Sequence, residues 1–153
     1  MTVYDCLIVV FLLCIAYHTY TDLKEMLLYD AVNAVLLVSG CIYAYFYGNI
    51  WQSMYGALLT GGVMMLLYIL SRGGMGEGDV KLAFVLGVWL EPLLGVLGLL
   101  LASASGGILA VVLLVSGRRG RRERLPFGPF ICLGGVVAFF YGYRLLDFYL
   151  CCF

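Results

Sequence analysis

The sequence predicts an all-α integral membrane protein, a bundle of about six transmembrane helices with the N-terminus and C-terminus outside. Hydrophobic residues make up 64% of the 153 residues and charged residues only 12%, far from the balance of soluble domains. Apolar runs close to the ~20 residues needed to cross a hydrocarbon core recur along the chain, separated by short polar stretches. Apart from Arg144, the lysines and arginines fall in alternate connections. A chain of this length has room for one membrane-embedded unit, taken as residues 1–153. Its formal net charge of zero offers no field for nucleic acid.

The first span reads as Val3 to Tyr20. It lacks a basic segment before it and a small-residue cleavage site after it, so it reads as a retained span and not a removable signal. The stretch "TDLKE" follows, then Ala31 to Tyr47, "GNI", and Met54 to Leu70. After "SRGGMGEGD" the run Leu82 to Val115 is too long for one crossing, and the interruption at Glu91 and Pro92 divides it in two. "SGRRGRRER" then leads to the last span, Pro126 to Leu150.

Orientation follows from basic residues near span ends. Lys24, then Arg72 and Lys81, then Arg118, Arg119, Arg121, Arg122 and Arg124 occupy the first, third and fifth connections, while the second and fourth hold none. The termini are therefore expected outside, with Arg144 snorkelling near the outer end of the last span. The arginine run reads as a topology anchor. The glycines from Gly56 to Gly62 and the "SASGG" stretch from Ser103 to Gly107 read as close-packing seams between helices.

This topology brings Asp22 and Asp79 to the cytoplasmic face. If Glu91 and Pro92 mark the outer surface, a helix from Asp79 to Glu91 rises only about 18 Å, short of the ~30 Å core. Asp79 is then expected below the cytoplasmic surface. The glycine-rich "GGMGEGD" reads as an entry into a protein-lined, wetted cavity, because non-helical backbone at that depth needs polar partners. Ionisable residues so placed are functional candidates. Two carboxyls sharing a small site resist joint ionisation, so one can serve as acid while the other activates water. That is aspartyl-protease chemistry, and it requires no metal or cofactor.

The segment "GMGEGDVKLAFVLG" resembles the GxGD segment of type IV prepilin peptidases, which are membrane aspartyl proteases. "TDLKEMLLYD" resembles the family's first motif, and "LPFGPFICLGG" resembles the Pro-Phe-Gly-Pro opening of its last span, all in family order. The resemblance implies that Asp22 and Asp79 are the catalytic carboxylates. It also implies that Gly76, Gly78 and Lys81 belong to the second motif, Asp30 closes the first, and Pro126, Gly128 and Pro129 open the last span. Tyr29 stands where the family usually has Pro, and Asp30 reads as a helix N-cap. Longer members carry an N-terminal methyltransferase region; this chain resembles a short, peptidase-only form. The implied reaction removes the basic leader of prepilin-like precursors (pseudopilin, Tad or competence pilins) at the face of a bacterial cytoplasmic membrane. The implied partners are those precursors and the lipid bilayer.

Glu25 and Glu77 would attract such a leader, or are simply solvated loop acids. His18, one helical turn before Asp22, is placed to hydrogen-bond it, but reads first as an interfacial polar anchor. Cys6, Cys14, Cys41, Cys132, Cys151 and Cys152 lack metal-ligand spacing and read as small apolar fillers. Alternatives are an archaeal preflagellin-type peptidase, a small proton or cation transporter, and an inactive assembly subunit. The transporter is disfavoured by the placement of both acids at one face, and the inactive subunit by the presence of both.

Overall fold

The computed structural model describes residues 2–71, 75–116 and 126–151. These form α1 (Val3–Glu25), α2 (Asp30–Phe46), α3 (Ile50–Leu70), α4 (Glu77–Val115) and α5 (Gly128–Cys151). The arginines Arg72, Arg118, Arg119, Arg121, Arg122 and Arg124, and Cys152, lie outside the described residues.

Helix ends follow local chemistry. A capping box opens α1: the Thr2 hydroxyl accepts the Asp5 N–H at 3.3 Å and the Asp5 carboxylate accepts the Thr2 N–H at 2.8 Å. Its other end closes on Met26, whose left-handed backbone (φ 52°) lets its N–H reach the Asp22 carbonyl. Asn49 caps α3 by accepting the Trp51 N–H at 3.0 Å.

As a straight rod, the 39 residues of α4 would run about 58 Å. Instead the chain reverses at the interruption seen in the sequence. Glu91 has φ 60° and ψ 175°, and Pro92 has no N–H with which to continue the ladder. A Cβ built on Gly95 would lie 4.0 Å from the Gly87 Cα, whereas residues eight apart in one helix are about 12 Å apart. The arms 77–90 and 92–115 therefore fold back on each other.

Among the described residues four helices are long and apolar enough to cross a membrane: Val3–Glu25, Ile50–Leu70, Glu77–Leu113 and Gly128–Cys151. The count is lower than the six read from the sequence. The shortfall arises because α2 has only 17 residues and the two arms of α4 join without a loop.

Side-chain distribution is that of a protein solvated by hydrocarbon. Leu13, Leu58, Leu66, Val111 and Phe148 point outward, while His18, Asp22, Asn33, Ser53, Thr60 and Asp79 are buried. The first seam forms at Gly56, where a Cβ would meet the Glu91 carbonyl carbon at 2.7 Å. There the backbones of α3 and α4 approach closely, and the Thr60 hydroxyl donates to the Ala83 carbonyl at 2.8 Å. Gly106, from the second seam, packs on Phe127, whereas Gly62 and Gly107 face open space. Trp89 anchors the centre; its indole N–H donates to the Leu36 carbonyl at 2.9 Å, with the Phe11 and Tyr43 rings at 4.7 and 5.0 Å.

The register sorts helix ends. Tyr4 meets Tyr47 and Tyr17 meets Tyr29, so α1 and α2 run antiparallel. Phe11 meets Phe139 and Asp22 meets Gly128, so α1 and α5 do too. The C-terminal end of α1 and the N-terminal ends of α2, α4 and α5 thus share one end of the bundle. Tyr4, Tyr47 and Glu91 mark the other.

Candidate active site

Three helices point their N-termini at the end where α1 finishes, which makes it a favourable place for negative charge. A cavity of about 380 Å³ opens there, lined by Asp22 from α1, Gly76, Gly78 and Asp79 from the start of α4, and Pro126 and Phe127 before α5. Motifs 57 positions apart in the chain are thus brought to one chamber. Both aspartates are buried, at 5% and 6% exposure, and they lie close enough for their charges to interact.

Each carboxylate meets a helix start. Asp22 faces the backbone of Gly128, the first residue of α5, whose amide is turned towards it. The approach is so close that a Cβ on Gly128 would fall 2.6 Å from Asp22 Oδ2. That oxygen has no hydrogen-bond partner among the described residues. Pro129 follows in the first turn, where a missing N–H costs nothing. The final motif therefore supplies a helix end bare enough for a carboxylate to press against it.

Asp79 stands in the first turn of α4, its N–H donating to the Gly76 carbonyl at 3.2 Å and its carboxylate faced by the Gly76 amide. A Cβ on Gly78 would lie 3.0 Å from the Leu28 Cβ, so this glycine lets the start of α4 pack against the α1–α2 connection.

Asp30 does not cap α2. The cap position belongs to Tyr29, which makes no side-chain capping bond, and Asp30 is the first helical residue. Its carboxylate is drawn to the motif lysine: both oxygens accept from Lys81 Nζ at 2.9 Å, across 51 positions of sequence. The pair ties the start of α2 to that of α4 at the cavity rim. Tyr29 holds φ at −79°, within the range a proline ring would impose, so the departure from the family's Pro leaves the backbone path intact. Its hydroxyl donates to Glu25 at 2.9 Å, and this bond to a carboxylate holds the phenol above its usual pKa.

Of the two acids read as leader-binding candidates, Glu77 lines the cavity. Glu25 is engaged with Tyr29 and is not among the lining residues. His18 is no interfacial anchor. It is completely buried, facing the bundle interior. Asn33, also buried, was not singled out from the sequence; a lone Asn inside an apolar run was the available signal. Cys14 and Cys132 are buried, whereas Cys6, Cys41 and Cys151 are exposed.

The type IV leader peptidase family matches residues 6–111. Similar proteins include the prepilin leader peptidase/N-methyltransferase of Legionella pneumophila, 30% identical over 140 residues, covering 86% of this chain and 48% of that protein. The protein of the same name from Xanthomonas campestris pv. campestris is 32% identical, covering 84% and 47%. The one from Bacillus subtilis is 31% identical over 103 residues, covering 65% and 42%. The chain thus spans about half the length of these curated relatives. No solved structure matches it. With motif order, convergent aspartates and the match over residues 6–111 all in agreement, the chain belongs to the type IV leader peptidase family.

Proposed function

We propose that this chain is an aspartyl endopeptidase of the bacterial cytoplasmic membrane that cleaves the basic leader from prepilin-like precursors. One observation carries the reading: Asp22 and Asp79 line a single chamber at the convergence of three helix N-termini. With one proton between the two carboxyls, the ionised one removes a proton from water as its oxygen attacks the scissile carbonyl. The protonated one delivers its proton to the departing amine. Helix N-termini favour the negative charge that this cycle keeps in the site. Glu77 on the cavity wall supports attraction of a basic leader.

In this reading α2 also crosses the membrane and α4 crosses twice, giving six spans in one domain with the termini outside. Cysteines at Lys24 and Gly48 would then label from opposite sides. Transport of a proton or cation finds less support, since Asp22 and Asp79 sit together at one end of the bundle and Phe11, Leu36 and Trp89 belong to its apolar core.

The test uses the full chain in liposomes with a prepilin-like precursor. Asp22→Asn and Asp79→Asn should each abolish leader removal while leaving the protein folded and inserted. Processing at more than a few per cent of the parent rate by a folded Asp79→Asn variant would refute the two-carboxylate mechanism.

A further inference from the structure

One helical turn deeper than the aspartates lies a polar layer that the proposed hydrolysis does not use. His18 is 0% exposed and Asn33 5%. Among the described residues neither imidazole nitrogen, neither amide atom of Asn33 nor Asp22 Oδ2 makes a hydrogen bond of good geometry. Asn33 is the polar side chain that reaches towards the imidazole. The Tyr17–Tyr29 and Tyr4–Tyr47 ring contacts, at 6.1 and 5.3 Å, set α1 and α2 antiparallel and together bring Asn33 to about the level of His18. Asp22 follows His18 by four residues on the same face of α1, and an aspartate on a helix leans back towards the preceding turn. From α5, the buried Cys132 lies within electrostatic reach of both aspartates.

A buried polar pair without partners is a poor way to fill space. Two apolar side chains of similar shape would hold this level of the bundle more stably. What the pair offers is direction: the neutral imidazole has one N–H donor and one acceptor nitrogen, and an amide can fix which is which. Catalytic hydrogen bonds are commonly loose before substrate binds and tighten in the complex.

We propose that His18 and Asn33 are positioning residues that hold the Asp22 carboxylate from the side away from the cavity, His18 donating to Asp22 Oδ2 and Asn33 orienting the imidazole. The inference rests on Asp22 being a catalytic carboxylate, and it deepens that reading by adding two residues outside the family motifs discussed above. Asp22 lines the cavity on one side, which leaves its inner side as the one where protein can fix the carboxylate in one rotamer.

The experiment compares kcat and KM for cleavage of a prepilin-like precursor by the full chain in liposomes. The variants are H18L/N33L, H18F/N33L, His18→Leu alone and His18→Gln alone, each with its thermal unfolding. The apolar doubles remove both orphaned groups and should be at least as heat-stable as the parent. Their kcat should nonetheless fall about 10- to 100-fold with KM within twofold, the size of effect expected when a reacting group is misplaced by up to an ångström. His18→Gln, which keeps a donor and an acceptor, should retain at least ten times the kcat of His18→Leu. A folded double variant with kcat within twofold of the parent overturns the proposal and makes the pair a packing layer. So does equal kcat in the Gln and Leu variants, which decides the matter even if neither double folds. Asp22→Asn run alongside separates the two levels: if it retains activity, the catalytic reading itself fails.

Discussion

Gly128→Ala is the sharpest perturbation of the site, because it adds one methyl group at the point where a carboxylate touches a helix end. The new Cβ would stand 2.6 Å from Asp22 Oδ2 and 3.0 Å from its Cγ. Ordinary contact begins near 3.4 Å, so the carboxylate must retreat by roughly 0.8 Å or α5 must shift. Retreat of the side chain is the easier course, since Gly128 and Pro129 are themselves buried in the bundle. A displacement near 1 Å can cost about 10²-fold in rate, or about 2.7 kcal/mol of transition-state stabilisation.

The effect on folding should be smaller. Overpacking costs about 1–3 kcal/mol, and about 0.5–1 kcal/mol returns because alanine has less backbone freedom to lose in a helix. The assay is single-turnover leader removal in liposomes beside a thermal melt, with Gly107→Ala as control, because nothing lies within 4 Å of its added methyl. Gly128→Ala should lose about two orders of magnitude in rate, and the control should stay within twofold. A Gly128→Ala rate within threefold of the parent would mean that Asp22 does not work pressed against α5.

Two further outcomes follow from the rim of the site. Asp30→Lys would set two cations together where Lys81 now bridges α2 and α4; the cleavage rate should drop a few-fold, recover in the D30K/K81D exchange, and show less effect at high salt. Tyr29→Pro should be tolerated, since the backbone there already has φ −79°; a melting temperature about 1–4 °C higher is expected, because the unfolded chain loses freedom, and a lower one would show that the Tyr29 hydroxyl bond to Glu25 matters more.

Most of this architecture was legible because hydrocarbon simplifies the sequence. Polar stretches marked the helix ends, and the Glu91–Pro92 interruption marked the reversal within α4, since a residue at φ 60° followed by Pro ends a helix whatever surrounds it. The number of crossings was less legible. Hydropathy cannot tell a short 17-residue helix from a full span, nor say whether arms without a loop between them both traverse.

The site divides in the same way. Asp22 and Asp79 were legible as candidates because motifs carry their immediate neighbours, and the structure lines one cavity with both. The role of Asp30 was misread for a physical reason. An aspartate at a helix start has two uses for its carboxylate, the local amides or a cation from elsewhere, and only the fold brings Lys81 to within 2.9 Å of it. The nearness of His18 to Asp22 was legible from their four-residue spacing on α1, but the contact of Gly128 with Asp22 and the presence of Asn33 were hidden more deeply, because they depend on contacts between helices. A glycine opening α5 and a histidine one turn from Asp22 have many innocuous readings until one faces the carboxylate and the other is sealed from solvent. The two residues then act on opposite sides of a single carboxylate. Gly128 leaves room for it at a helix N-terminus and His18 is proposed to hold it from behind, so a change in either should be felt in kcat before it is felt in binding.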